Sequence, residues 1–145
     1  AGVGYLTILD DDVVDESNLQ RQVIHRQADV GRPKALSAKD AVQRLNPHLV
    51  AEAVVARLGT DNALDLVKDH DLILDCTDNF AIREAVNAAC VRARRPLVSG
   101  AAIRLEGQLS VFDPRLETSP CYHCLYGHGS EAELTCSEAG VVGPL

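Results

Sequence analysis

Residues 5–12 read YLTILDDD, an apolar run that stops on three carboxylates. A short apolar run bounded in this way predicts a buried strand that ends where the acidic residues begin. Residues 71–75 (DLILD) repeat the pattern further along the chain. In open parallel sheets, ligands bind beyond the carboxyl ends of the strands. The acidic ends of these two runs are therefore candidate parts of a binding site.

Helical patterns separate the predicted strands. Pro33 suits the first turn of a helix, and the apolar spacing that follows it ends at Asn46. A second helical repeat runs from Ile82 to Ala93. Between these helices, residues 49–56 favour a strand and residues 62–68 a short helix.

Two more strands are expected at residues 96–101 and 105–112, followed by a loop-like region from Asp113 onward. Strands that alternate with helices predict an α/β fold with a mainly parallel sheet. Cys76 and Cys90 lie in apolar segments and are expected to be buried free thiols.

The composition is that of an ordinary globular domain. The 145 residues are 46% apolar and 24% charged, which suits one domain and argues against disorder. With 14 basic and 21 acidic residues the net charge is -7, which argues against a nucleic-acid partner. No apolar stretch approaches the ~18 residues of a membrane span. Five cysteines without a disulfide pattern favour a cytoplasmic protein. The lack of Met suggests that the sequence is part of a longer polypeptide.

Asp10 and the polar segment that follows it suggest a nucleotide. In dinucleotide-type folds an acid at this strand end binds ribose hydroxyls, although a solvated strand end is an equally simple interpretation. Arg21 offers planar donors for phosphate oxygens, and Lys34 lies in the first turn of a predicted helix, where anions are favoured. Either cation alone would be read as surface charge. Beside a ribose-type acid, the two predict a polyphosphate site.

Asp78 and Asn79 follow the second acid-ended strand. A carboxylate at a strand tip can hold Mg²⁺ together with phosphate oxygens and water. Asp and Asn are also common turn and capping residues, so the alternative is that this pair only starts the next helix. The local sequence leaves these two interpretations even.

Cys121 and Cys124 have the CxxC spacing that lets two thiolates bind one Zn²⁺. A closed zinc site needs four ligands, and neither a second CxxC nor a well-spaced histidine accompanies them. A redox pair is the alternative. It is less favoured because such a motif normally opens a helix, whereas this segment is expected to be a loop.

Taken together, these motifs closely resemble the ThiF/MoeB family, ATP-dependent adenylyltransferases of ubiquitin-like sulfur carrier proteins that are related to ubiquitin-activating enzymes. The resemblance runs over the whole chain, and the ordered combination is specific although each motif alone is not. The motifs that carry it are Asp10-Asp11-Asp12, Ser17-Asn18-Leu19-Gln20-Arg21-Gln22, Gly31-Arg32-Pro33-Lys34, Asn46-Pro47, Asp75-Cys76-Thr77-Asp78-Asn79, Ser99-Gly100-Ala101-Ala102, Glu106-Gly107-Gln108, Cys121-Tyr122-His123-Cys124 and Ala139-Gly140-Val141-Val142-Gly143-Pro144.

The resemblance implies a role for each matched residue. Asp10 resembles the ribose-binding acid, and Arg21 and Asp78 resemble catalytic residues, with Asp78 linked to Mg²⁺. Cys121 and Cys124 resemble two of four zinc ligands. The implied nucleotide-binding set is Asp10, Ser17, Asn18, Leu19, Gln20, Arg21, Lys34, Asp78 and Asn79. Cys136 resembles the cysteine that, in some members, forms a thioester or acyl-persulfide with the carrier.

The family implies that the C-terminal glycine carboxylate of the carrier attacks the α-phosphorus of ATP, giving an acyl-adenylate and pyrophosphate. The implied cofactors are ATP, Mg²⁺ and Zn²⁺. The implied partner is a sulfur carrier of the MoaD (molybdopterin) or ThiS (thiamine) type, and a homodimer is expected. Residues 1–145 would then be a partial Rossmann-like ATP-binding domain with a zinc-binding loop. The Gly-rich nucleotide loop should precede Ala1, and a second CxxC should follow Leu145.

Two other functions remain to be compared with adenylylation. An NAD-dependent dehydrogenase would share Asp10, but it has no use for Arg21, Lys34 and Asp78 together. A non-catalytic partner subunit would keep the fold, but such subunits tend to lose the phosphate-contacting set that is present here. The residues therefore favour the enzyme.

Overall fold

The structure is a computed structural model that describes residues 2–103 and 106–127. The chain divides into two compact units, and the boundary lies between Leu58 and Gly59. We refer to these as the N-terminal unit and the C-terminal unit.

The N-terminal unit contains a β-α-β arrangement. Strand β1 (Tyr5–Leu9) leads through a long loop to helix α1 (Lys34–Leu45), which is followed by strand β2 (Val50–Val54). The two strands pair in parallel, with Tyr5 opposite Val50. Short 3-10 turns at Glu16–Asn18 and Gln27–Asp29 shape the loop between β1 and α1.

Helix α1 forms where the apolar spacing predicted it. Ala35, Ala38 and Ala41 recur every three residues and are buried. Alanine has the highest helix propensity, and its small side chain lets the helix pack closely on its neighbours. Pro33 lies directly before the first helical residue, which places Lys34 in the first turn as expected.

The C-terminal unit contains strands β3 (Ile73–Asp75), β4 (Leu97–Ile103) and β5 (Glu106–Phe112). Its helices are α2 (Ala63–Val67), α3 (Phe80–Ala93) and α4 (Tyr122–Tyr126). Strand β3 pairs in parallel with β4, and β4 pairs antiparallel with β5. Val86, Ala89 and Cys90 of α3, together with Leu97 and Phe112, belong to its buried core.

Three sequence-based expectations require correction or refinement. The parallel pairs confirm the expected α/β fold, but β5 runs antiparallel because the two residues between it and β4 are too few for a parallel crossover. The region after Asp113 is not all loop, since α4 begins at Tyr122. Cys90 is buried as expected, whereas Cys76 is exposed.

No helix within the described ranges is both long and apolar enough to cross a bilayer.

Candidate active site

The acidic end of β1 holds Asp10, Asp12 and Lys34 close together. One carboxylate oxygen of Asp10 accepts the backbone N–H of Asp12 at 2.9 Å. The Lys34 ammonium lies 2.7 Å from a carboxylate oxygen of Asp12, and the Lys34 backbone N–H donates to the Asp12 carbonyl at 2.9 Å. The Lys34 side chain is only 15% exposed, whereas that of Asp12 is 68% exposed. A cation at a helix start is thus fixed beside Asp12, two residues after the acid predicted to bind ribose.

One carboxylate oxygen from each of Asp10, Asp11 and Asp12 lies within 4.8 Å of the other two. Exposed acidic clusters of this kind are common without a bound ion. The ion pair between Asp12 and Lys34 already offsets part of their mutual repulsion. We therefore assign no metal to this cluster.

The predicted phosphate-binding segment, residues 17–22, is a structured turn. Asn18 is buried, and its side-chain oxygen accepts the backbone N–H of Asp15 at 3.1 Å. Hydrogen bonds from the side chain and backbone of Ser17 lower the pKa of Asp15. The Asn18 carbonyl accepts the backbone N–H groups of Arg21 and Gln22. Asn18 therefore organises the turn, and its predicted contact with phosphate stays a prediction.

Arg21 is half-buried on this turn, and its Nη1 donates to the Ser17 carbonyl at 3.2 Å. Of the other predicted nucleotide contacts here, Leu19 is half-buried, and Ser17 and Gln20 are exposed. Among the described residues, this one contact to a carbonyl leaves most of the guanidinium's five N–H donors available for phosphate oxygens.

Two contacts tie the loop between β1 and α1 to the helix. The Nδ1 atom of buried His25 lies 2.9 Å from Ser37 Oγ of α1. Arg32 donates to both Asp29 in the loop and Asp40 in α1, each at 2.7 Å. These contacts hold the segment that carries Arg21 against the helix that begins with Lys34. This role of His25 is not predictable from the sequence, because nothing in the local pattern pairs it with Ser37.

His25 should make the stability of the N-terminal unit depend on pH. Burial lowers its pKa below the ordinary value of 6.5, and nearby Lys34 acts in the same direction, whereas Asp29 and Asp10 oppose it. Below about pH 6.5 the unfolded chain takes up a proton at this site more readily than the folded chain. The free energy of unfolding is therefore expected to fall as the pH is lowered from about 7 to about 5.

Denaturant unfolding of the full-length protein at several pH values checks this expectation. His25→Gln should remove part of the pH dependence, whereas His48→Gln, at an exposed histidine of the same unit, should leave it unchanged. Equal pH dependence in the unsubstituted protein and the His25→Gln variant would show that His25 contributes nothing.

The carboxyl end of β3 carries the second predicted acid. Asp78 and Asn79 are exposed. Asn79 caps α3, because its side-chain oxygen accepts the Ile82 N–H at 3.1 Å. The alternative that this pair starts the next helix is therefore confirmed for Asn79. Within the described ranges, no hydrogen bond or ion pair involves the Asp78 carboxylate. Among those residues, nothing neutralises the Asp78 carboxylate, which therefore stays available to a cation such as Mg²⁺.

The two sulfur atoms of the CxxC pair lie 3.5 Å apart. Two thiolates on one tetrahedral Zn²⁺, with Zn–S bonds near 2.3 Å, would lie about 3.8 Å apart. Burial raises the pKa of Cys121, but hydrogen bonds involving Cys124, Asn87 and the His123 backbone outweigh it, so the pKa is lowered overall. The pair therefore fits two of the ligands of a zinc ion.

Asn87 of α3 positions the start of α4, a role that the sequence analysis missed. Its amide oxygen accepts the Tyr122 N–H at 3.0 Å, and its amide nitrogen donates to Cys121 Sγ at 3.7 Å. One turn earlier in α3, Glu84 lies 3.2 Å from His123 Nδ1. A single helix thus orients the cysteine pair, through contacts that span more than 30 residues of sequence.

The CxxC opens a helix, with Cys121 at the N-cap of α4 and Cys124 inside it. The expectation of a zinc-binding loop was therefore wrong about the local structure. Because the CxxC does open a helix, a redox pair is no longer disfavoured by its local structure. Cys136 lies outside the described residues, so its role stays a prediction.

A family model described as "ThiF family" matches residues 1–145. The chain belongs to the ThiF family. The match covers both units of this ThiF-family chain and all the motifs on which the resemblance rests.

Similar proteins carry consistent names. The chain is 54% identical to the "Molybdopterin-synthase adenylyltransferase" of Salmonella typhimurium and equally to that of Escherichia coli, with 100% of this chain and 58% of each relative covered. It is 46% identical to the "Adenylyltransferase and sulfurtransferase MOCS3" of Danio rerio, with 99% of the chain and 31% of the relative covered. The ThiF-family chain thus spans little more than half the length of the bacterial relatives.

Solved structures show the same fold. A structure of E. coli MccB with MccA-N7isoASN matches with a TM-score of 0.78 at 26% identity, over 91% of this chain and 39% of that one. A structure of E. coli MccB with AMPCPP and MccA matches with a TM-score of 0.76 at 25% identity, over 86% and 37%.

Proposed function

We propose that the protein containing this chain adenylylates the C-terminal glycine of a ubiquitin-like sulfur carrier protein, using ATP and releasing pyrophosphate. The observation that carries the proposal is the 54% identity, over the whole chain, to two proteins named molybdopterin-synthase adenylyltransferase. The MoaD type of carrier follows from that name. A ThiS-type carrier remains an alternative from the family resemblance.

The chemistry suits the residues. A carboxylate is already a nucleophile at neutral pH, so the protein needs to position two anions and to stabilise the charge that moves to pyrophosphate. Arg21 and Lys34 supply positive charge in the N-terminal unit, and Asp10 would bind the ribose. Mg²⁺, when bound, would screen polyphosphate charge, and exposed Asp78 is the residue proposed to hold it. The solved MccB structure with AMPCPP supports the use of an adenine nucleotide by this fold.

Zinc, sulfur transfer and assembly are further parts of the proposal. Cys121 and Cys124 would bind one Zn²⁺ together with a second cysteine pair of the full-length protein. Cys136 would take the activated carrier for sulfur transfer. A homodimer and a cytoplasmic location are proposed from the family resemblance.

ATP–pyrophosphate exchange by the full-length protein tests the proposed function. Exchange should require a carrier with an intact C-terminal glycine and should not occur with NAD in place of ATP. Exchange with a short peptide but not with a ubiquitin-like carrier would instead point to peptide activation, and no exchange with either would support a non-catalytic subunit.

Lys34→Ala and Arg21→Ala should each weaken the use of ATP. A charge-assisted contact with phosphate contributes about 1.5–3 kcal/mol, so kcat/KM for ATP is expected to fall about 10- to 100-fold. Matched controls are Lys39→Ala in the same helix as Lys34 and Arg44→Ala at its exposed end. Steady-state exchange kinetics provide the measurement. Unchanged kcat and ATP KM in either variant would identify that residue as surface charge only.

A further inference from the structure

Thr77, the residue before Asp78, has every polar group held by a side chain. Its backbone N–H donates to Asp75 Oδ1 at 2.9 Å, and its hydroxyl donates to the same oxygen at 2.8 Å. Its carbonyl accepts two N–H groups of Arg83, from Nε at 2.9 Å and from Nη2 at 2.6 Å. A turn residue restrained at all three groups has little freedom to rotate.

The backbone N–H and the hydroxyl of Thr77 are held by a residue of the sheet. Asp75 is the last residue of β3, is 3% exposed and lies opposite Ser99 of β4 in the parallel register. Its Oδ1 receives both bonds from Thr77, whereas its buried Oδ2 has no hydrogen-bond partner among the described residues. The carboxylate is therefore fixed by burial, and it anchors the turn to the end of the strand.

The carbonyl of Thr77 is held by a residue of α3. Besides the two side-chain bonds to the Thr77 carbonyl, the backbone N–H of Arg83 donates to the Asn79 carbonyl at 3.1 Å. The bond to Asn79 is the ordinary backbone bond of the first helical turn, so the Arg83 side chain acts on the turn through Thr77. The Asp78 carboxylate itself is exposed. Its backbone is held while its side chain is left available.

We infer that Arg83 is a positioning residue that fixes the direction of the Asp78 carboxylate, acting through the carbonyl of Thr77, the residue that precedes it. A guanidinium can do this because its fork of N–H groups places two donors on one carbonyl, which defines a direction as well as a distance. A lysine ammonium at this position is a point charge without that fork. The inference rests on the proposed function, because it assigns Arg83 to the adenylylation site.

The chain offers a matched control. Arg95, the second residue after the end of α3, donates from Nε and Nη2 to the Lys68 carbonyl at 3.1 and 2.7 Å. Arg95→Met removes the same kind of two-donor contact from the same unit, but at a loop that carries none of the predicted site residues. Comparing Arg83→Met with Arg95→Met separates a specific effect on Asp78 from the general cost of losing such a contact.

The experiment measures carrier-dependent ATP–pyrophosphate exchange by full-length variants, together with amide hydrogen exchange of residues 77–80 in the unliganded protein. Arg83→Met should lower kcat by on the order of 10- to 100-fold with little change in the ATP KM, because a misplaced catalytic group is costly. Its amides at residues 77–80 should exchange faster, and Arg83→Lys should restore only part of kcat. Arg95→Met should change neither quantity.

Combining Arg83→Met with Asp78→Asn provides the sharper test. If Arg83 acts through Asp78, the double variant should be no slower than Asp78→Asn alone. Additive losses, or an Arg83→Met variant that behaves like Arg95→Met, would overturn the inference while leaving the proposed function intact. Absence of carrier-dependent exchange in the unsubstituted protein would contradict both the proposed function and the inference.

Discussion

Replacing Asp78 by asparagine is expected to reduce carrier-dependent ATP–pyrophosphate exchange by at least about 100-fold in the full-length protein. The substitution keeps the shape of the side chain but removes the negative charge that would hold Mg²⁺ beside the polyphosphate. Because the carboxylate is exposed and makes no hydrogen bond or ion pair with the described part of the chain, its loss should leave the fold and the thermal stability unchanged.

Asp71→Asn is the matched control for this prediction. Asp71 is an exposed acid that precedes the same strand, β3, at its other end. The Asp71→Asn variant should show unchanged ATP–pyrophosphate exchange activity. Normal exchange in the Asp78→Asn variant would remove Asp78 from the mechanism, whereas a lowered melting temperature would indicate a structural role.

Replacing Cys121 by serine is expected to have the second large effect, on metal content and stability. A structural zinc contributes its binding free energy to folding, so loss of one thiolate should remove stoichiometric zinc and lower Tm by on the order of 10 °C. Buried Asn87 also holds Cys121 in place. Its amide nitrogen donates to the Cys121 sulfur, and its amide oxygen accepts the backbone N–H of the following residue, Tyr122.

Elemental analysis and thermal unfolding of the full-length protein provide the measurement. The unsubstituted protein should contain one Zn²⁺ per chain, and Cys76→Ser, which changes an exposed thiol outside the pair, should keep it. A zinc-free protein in which Cys121 and Cys124 form a disulfide would replace the zinc proposal with a redox pair, to which the helical setting of α4 is suited.

Hydrophobic patterning predicted β1, α1 and α3 because each buries apolar side chains. In a helix those side chains recur at a spacing of three to four residues, and in a buried strand they form a short continuous run. The direction of β5 was not available from that signal, since a strand has the same pattern in either direction. The two-residue separation from β4 does contain this information, because it permits only a hairpin. Helix α4 was missed because five residues with the sequence YHCLY show no helical period.

The candidate site was predicted as a set of residues but not as an arrangement. Lys34 at the start of α1 follows from Pro33 and the alanine spacing, both local features. The contacts of Asn87 with Cys121 and of His25 with Ser37 join residues that are far apart in sequence, and no local pattern indicates them. Arg83 would also be read from sequence as ordinary helix-surface charge, since only the structure shows its two bonds to the Thr77 carbonyl.

The transfer of AMP to the carrier would demonstrate the proposed adenylylation itself. The full-length protein is incubated with Mg²⁺, the carrier and ATP labelled at the α-phosphorus, and the label on the carrier and the pyrophosphate released are measured together. We expect labelled carrier and pyrophosphate in equal amounts, with no label when the C-terminal glycine of the carrier is removed. Hydrolysis of ATP to ADP and phosphate, with no label on the carrier, would contradict it.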